Sequence, residues 1–111
     1  MNSVKFTETR TVGQNHPPYI IAEIGNNHNG SLDTAKKLIQ IAKDIGVDAV
    51  KFQVKDIESY FSKELLDAPY NNENSFGSTY REHKEALEFS ESELQSIYNF
   101  ASEKNIDCFS T

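Results

Sequence analysis

One carboxylate and one ammonium stand where buried strands should carry neither. Glu23 follows the apolar run Tyr19-Ile20-Ile21-Ala22, and Lys51 sits among Ala49, Val50, Phe52 and Val54. Unbroken apolar runs of this kind read as strands buried on both faces of a parallel sheet. A charge at such a position is costly unless it is paired, liganded or used. Gln53 lies two residues beyond Lys51 and therefore on the same strand face. A lysine aimed into a cleft suits an anion such as phosphate or carboxylate. The alternative is an ordinary charge on a partly solvated face. Ser110 and Thr111 close a third short segment, Ile106 to Thr111, and add hydroxyl donors. An acid, an amine and hydroxyls at strand ends match the place where parallel sheets and barrels hold their ligands.

The stretch after Glu23, Gly25-Asn26-Asn27-His28-Asn29-Gly30, cannot continue a strand. Its donors, acceptors and flanking glycines suit a loop that approaches a ligand, with Asn27 and His28 as candidates. His16, in Asn15-His16-Pro17-Pro18, reads as a solvated loop residue. Cys108 has no activating motif around it and reads as a small buried hydrophobe.

These residues need elements to position them. Residues 3–14 have the alternation of a short hairpin, and residues 1–18 are expected to form a unit ahead of the strands. Ser31 is a helix N-cap, Leu32, Ala35, Leu38, Ile39, Ala42 and Ile45 form one apolar stripe, and Gly46 is a stop. The second strand is expected over Asp48 to Val54. Lys55 to Ser78 reads as a long irregular loop, with one possible helical turn from Ser62 to Leu66 and aromatic residues that should anchor it. Thr79 to Leu87 reads as a charged helix supported by an Arg81–Glu85 pair. Ser90 and Glu93 form a capping box ahead of a helix that Asn105 can end.

Strand, helix, strand, long loop, helices and strand make two consecutive parallel crossover units. A doubly wound dinucleotide fold would carry GxGxxG after the first strand, and that pattern is absent here. A (β/α)₈ barrel would set Glu23, Lys51 and Ser110–Thr111 around one mouth, but needs about 250 residues. The 111 residues are therefore expected to be the amino-terminal piece of a longer protein, or to be completed by another chain. No apolar run is long enough to span a bilayer, and the start lacks a signal-peptide layout. With a single cysteine this points to the cytoplasm. A net charge of −6 argues against nonspecific nucleic-acid binding.

The string IIAEIGNNHNGSLDTAKKLIQIAKDIGVDAVKFQ, with TYREHKEALEFS and the final CFST, closely resembles the opening of the sialic acid synthase family. That family comprises N-acetylneuraminate synthases and their legionaminate and spore-coat polysaccharide relatives. The resemblance runs from about Tyr19 to Thr111. It implies a (β/α)₈ barrel whose first units span residues 19–111, a small C-terminal domain beyond it, and a homodimer. It implies condensation of phosphoenolpyruvate with an N-acetylated amino sugar, N-acetylmannosamine or a 2,4-diacetamido relative, to a nine-carbon 2-keto sugar acid and phosphate. Glu23 matches the family's active-site glutamate, Lys51 a lysine that binds phosphoenolpyruvate, and Thr111, beside Ser110, a residue at that substrate. Asn27, His28 and Gln53 remain candidates in matching segments. A divalent ion, manganese or magnesium, is implied, with ligands on later strands outside this chain. A different class of function also fits: a non-catalytic remnant or binding module completed by a partner.

Overall fold

The computed structural model describes residues 2–111. Two short strands, β1 (Ser3–Lys5) and β2 (Thr11–Gly13), pair antiparallel as the expected hairpin. A separate parallel sheet contains β3 (Ile21–Gly25), β4 (Ala49–Phe52) and β5 (Asp107–Ser110), in that spatial order. Helix α1 (Leu32–Ile45) crosses from β3 to β4. Between β4 and β5 run α2 (Ile57–Tyr60), α3 (Lys63–Asp67), α4 (Tyr80–Leu87) and α5 (Glu91–Glu103). The result is an α/β fold matching the opening units of a (β/α) barrel. Among the described residues no helix is long and apolar enough to cross a membrane.

The two long helices follow from local chemistry. Ser31 accepts a hydrogen bond from the Thr34 N–H, and Gly46 closes α1 at φ 87°, in the left-handed region open to glycine. Ser90 and Glu93 form a reciprocal capping box at the start of α5, and Asn105 adopts φ 56° just beyond its end. The apolar stripes of both helices lie on one face of the sheet. Ile39, Ala42, Ile97 and Ala101 meet Ile24, Val50 and Phe52 there. Burying side chains such as Ile39, Ile97 and Phe52 contributes about 1.5–3 kcal/mol each.

The other sheet face is open, which corrects the expectation of strands buried on both sides. Ile21, on the face of Glu23 and Lys51, is exposed, because the helices that cover the sheet pack on its opposite side. The strands are also shorter than expected. Tyr19 and Asp48 fall outside them and make side-chain bonds below the sheet: Tyr19 with Asp107, and Asp48 with Arg10 and the Ile20 N–H.

The stretch from Lys55 to Ser78 is more regular than its composition suggests. Helix α2 was not expected from the sequence, whereas α3 follows the expected turn, capped by Ser62. Phe61 and Tyr70 meet Tyr80 edge-on at 5.3 Å, so the aromatics anchor this segment on α4. Arg81 does not pair with Glu85. It reaches Glu58 on α2 and Asp67 on α3, because α4 packs against both short helices.

Candidate functional site

Parallel pairing sets Glu23 of β3 level with Lys51 of β4, and Lys51 level with Phe109 of β5. Residues level across a sheet share a face, so all three lie on the face away from the helices. The Lys51 Nζ stands 3.1 Å from Glu23 Oε2, and the Gln53 amide donates to Glu23 Oε1 at 3.5 Å. Both carboxylate oxygens are thus engaged from β4 and its extension. A shift of register between Glu23 and Gly25 accommodates Ile24, which enters the core. Gly25, at φ 57°, then turns the chain away from the sheet.

The pair is accessible, with side-chain exposures of 29% for Lys51 and 45% for Glu23. At that exposure an ion pair is worth no more than about 1 kcal/mol of stability. It is inexpensive to break, and a ligand anion can compete with Glu23 for the ammonium. Immediately beyond lies a cleft of about 510 Å3 lined by Gln53, Val54, Lys55, Asp56, Ser59, Tyr60 and Thr111. The Thr111 N–H donates to the Phe52 carbonyl, and the Thr111 carbonyl accepts from the Val54 N–H. These bonds extend the sheet to the cleft wall. Glu23, Lys51, Gln53 and Thr111 are therefore gathered at one end of the sheet.

Three other candidates lie elsewhere. Ser110 is level with Phe52, faces the helices, and bonds its hydroxyl to that of Tyr98 on α5. His28 is buried, its ring 4.2 Å from Phe89 and 6.0 Å from Phe52 between centroids. Its Nδ1 accepts the Gly30 N–H at 2.9 Å, and burial holds the imidazole below its ordinary pKa. Asn27 folds back so that its amide donates to the Ile24 carbonyl at 2.8 Å. His28 and Asn27 shape the polar loop from within. Gly30 brings that loop against the Ala86 carbonyl of α4, where a Cβ would collide. Cys108 is partly buried against the core, and burial pushes its thiol up to about 12, consistent with an unreactive packing residue.

The sequence reading missed Phe109, Lys55, Ser59 and Tyr60. Asp56 ahead of Ile57 is a helix-start residue and was the available signal for α2. Nothing in the one-dimensional pattern shows that α2 lies over the ends of β4 and β5.

Among the described residues no group of three or more histidine, cysteine or acidic side chains is placed to hold a metal ion. The three imidazoles lie apart. His16 is on an exposed turn, His28 is in the core, and His83 on α4 accepts the Phe76 N–H at Nδ1. This donor set does not fit a divalent ion.

Three parallel strands joined by crossover helices, with an acid and an amine level at the strand ends, define an α/β segment of the barrel class. The NeuB family model matches residues 38–111, and the chain belongs to that family. It is 46% identical over 97 residues to the human N-acetylneuraminate-9-phosphate synthase, covering 87% of this chain and 27% of that protein. It is 39% identical over 108 residues to the N,N'-diacetyllegionaminic acid synthase of Legionella pneumophila, covering 96% of this chain and 30% of the relative. The sialic acid synthetase of Leptospira borgpetersenii, solved in complex with citrate, superposes with a TM-score of 0.70 at 28% identity. That match covers 97% of this chain and 33% of the other. The spore coat polysaccharide biosynthesis protein of Bacillus subtilis superposes at 0.63, also at 28% identity, over 97% of this chain and 27% of the other. The chain thus spans about a third or less of the length of these relatives.

Proposed function

We propose that this chain contributes the opening part of the active site of a phosphoenolpyruvate-dependent synthase. The reaction joins phosphoenolpyruvate to an N-acetylated amino sugar, giving a nine-carbon 2-keto sugar acid and phosphate. The observation that carries this reading is the accessible Glu23–Lys51 pair, level on adjacent parallel strands and open to a cleft bounded by Thr111.

In that reaction the enol carbon of phosphoenolpyruvate attacks the aldehyde carbon of the open-chain sugar, forming the new C–C bond. Water adds at the phosphate-bearing carbon, and its protons pass to the new sugar hydroxyl and to the departing phosphate. Cleavage of the C–O bond releases phosphate and leaves the ketone. Lys51 would hold the anionic donor by charge, and the Thr111 hydroxyl would add a hydrogen bond. Glu23, released when the donor takes its ammonium, would orient a sugar hydroxyl or accept a proton. A divalent ion, manganese or magnesium, would be held by residues outside this chain. Homodimer assembly and a cytoplasmic location belong to the same proposal.

The candidate acceptors are N-acetylmannosamine and a 2,4-diacetamido sugar. Three relatives are named N-acetylneuraminate-9-phosphate synthase, and a product phosphorylated on its terminal carbon would call for an acceptor sugar that already carries that phosphate.

The experiment is phosphate release by the full-length protein carrying this segment, with phosphoenolpyruvate, each acceptor and manganese. Lys51→Ala should lower kcat/KM for phosphoenolpyruvate about a hundredfold or more. A Lys51→Ala variant with wild-type kinetics would remove Lys51 from the site. No release with any acceptor would reduce the chain to a binding module.

A further inference from the structure

The cleft beside the Glu23–Lys51 pair contains a second ammonium in a different electrostatic setting. Lys51 is compensated by Glu23 at 3.1 Å. Lys55, half-buried at the cleft wall, makes no ion pair among the described residues. Its Nζ lies instead over two aromatic faces, 4.7 Å from the Tyr60 centroid and 5.7 Å from that of Phe61. Aromatic faces hold a cation without cancelling its charge. Lys84 of α4 also approaches the Phe61 ring, at 5.5 Å, so that ring is near two cations.

Asp56 and Glu88 lie nearby, and neither forms an ion pair with the Lys55 ammonium. Asp56, on the same cleft wall, accepts the Ser59 hydroxyl at 2.6 Å. Glu88 accepts the backbone N–H of Lys55 at 3.3 Å, which ties the end of β4 to the turn between α4 and α5. The same cleft is lined by Gln53, Tyr60 and Thr111, whose side chains carry an amide and two hydroxyls. Its volume of about 510 Å3 falls in the range that accepts a small ligand.

We propose that Lys55 is a second anion-binding residue, separate from Lys51, which holds a phosphoryl group of a substrate in this cleft. The assignment rests on the synthase reading and deepens it. A dianionic phosphoryl group has three terminal oxygens, and a flexible point charge flanked by hydroxyl and amide donors suits it. The group can come from the donor, phosphoenolpyruvate, or from a phosphorylated amino sugar.

The test compares Lys55→Met, which keeps the apolar stem on Tyr60 and Phe61, with Lys55→Arg, which keeps the charge. Both are made in the full-length protein and assayed by phosphate release with phosphorylated and unphosphorylated acceptor. Lys55→Met should raise KM for the phosphoryl-bearing substrate about tenfold, and Lys55→Arg should recover most of that loss. A rise confined to the phosphorylated acceptor assigns Lys55 to the acceptor's phosphate. A rise for phosphoenolpyruvate with either acceptor assigns it to the donor's. Unchanged KM values throughout overturn the proposal. Titration of inorganic phosphate into the wild type and Lys55→Met, followed by calorimetry, keeps the two readings separate. If the wild type turns nothing over yet binds phosphate more tightly than Lys55→Met, the synthase reading fails and the Lys55 site stands. Without turnover, equal binding by both proteins removes the Lys55 site as well.

Discussion

At the carboxyl end of the sheet Lys51 pairs with Glu23; at the amino-terminal end Arg10 pairs with Asp48. Below the sheet the charged side chains are tied into a network. The second oxygen of Asp48 accepts the Ile20 N–H at 2.7 Å, and Arg10 also donates to the Pro18 carbonyl at 3.2 Å. Tyr19 donates its hydroxyl to Asp107, and burial, helped by that bond, pushes the phenol up to about 12. A hollow exists there too, lined by the Arg10–Asp48 pair, by Tyr19 bonded to Asp107, and by Lys43, whose ammonium donates to the Asn105 carbonyl at 3.2 Å. At the upper end Glu23 is 45% exposed, against 19% for Asp48, and the Lys55 ammonium in the adjoining cleft makes no ion pair among the described residues. A charge pair alone therefore does not define a ligand site. Exposure of the pair is what sets the upper end apart.

Substitutions at the two ends should separate turnover from stability. Lys51→Ala should give the largest effect, the hundredfold loss of kcat/KM for phosphoenolpyruvate, with little change in the urea midpoint. Asp48→Ala should do the reverse. It strands Arg10 and the Ile20 N–H, costing about 1–3 kcal/mol in urea unfolding, with kinetics preserved at 25 °C. Loss of turnover in Asp48→Ala without loss of stability would abolish the distinction between the ends.

A smaller effect should appear with pH. His28 has a folded pKa below its ordinary 6.5 because it is buried. The unfolded chain then binds the proton more readily than the folded one. Stability is therefore complete above 6.5 and declines as the pH falls from there toward the lower folded value. His83, lowered first by burial and then by Lys84, adds to the same slope. Urea midpoints at pH 7.5 and 5 measure it, and His28→Asn, which cannot titrate, should flatten it. An equal slope in that variant would show that the imidazole is not held neutral by the core.

The smallest effect tests the two faces of β5. Ser110→Ala should lose the Tyr98 bond, worth about 1 kcal/mol, and leave KM for phosphoenolpyruvate within about twofold. A tenfold rise would place Ser110 on the ligand side of the sheet.

The sequence alone determined the elements whose causes are local. The stripe and caps of α1, the capping box of α5, the hairpin and the parallel order were legible because each depends on residues within a few positions of one another. The misplaced charges Glu23 and Lys51 were legible for the same reason, as breaks in an apolar pattern. Tertiary structure alone decided which face each polar group serves. Ser110 and Thr111 are neighbours in the chain, yet one hydroxyl serves Tyr98 and the other residue lines the cleft, because register on β4 sets the parity of β5. His28 lies in a polar loop by composition and in the core by contact, drawn there by Phe89 and Phe52. Arg81 passes over the acid one helical turn away for Glu58 and Asp67 on other elements. In each case the deciding partner is distant in sequence, and only packing brings it close.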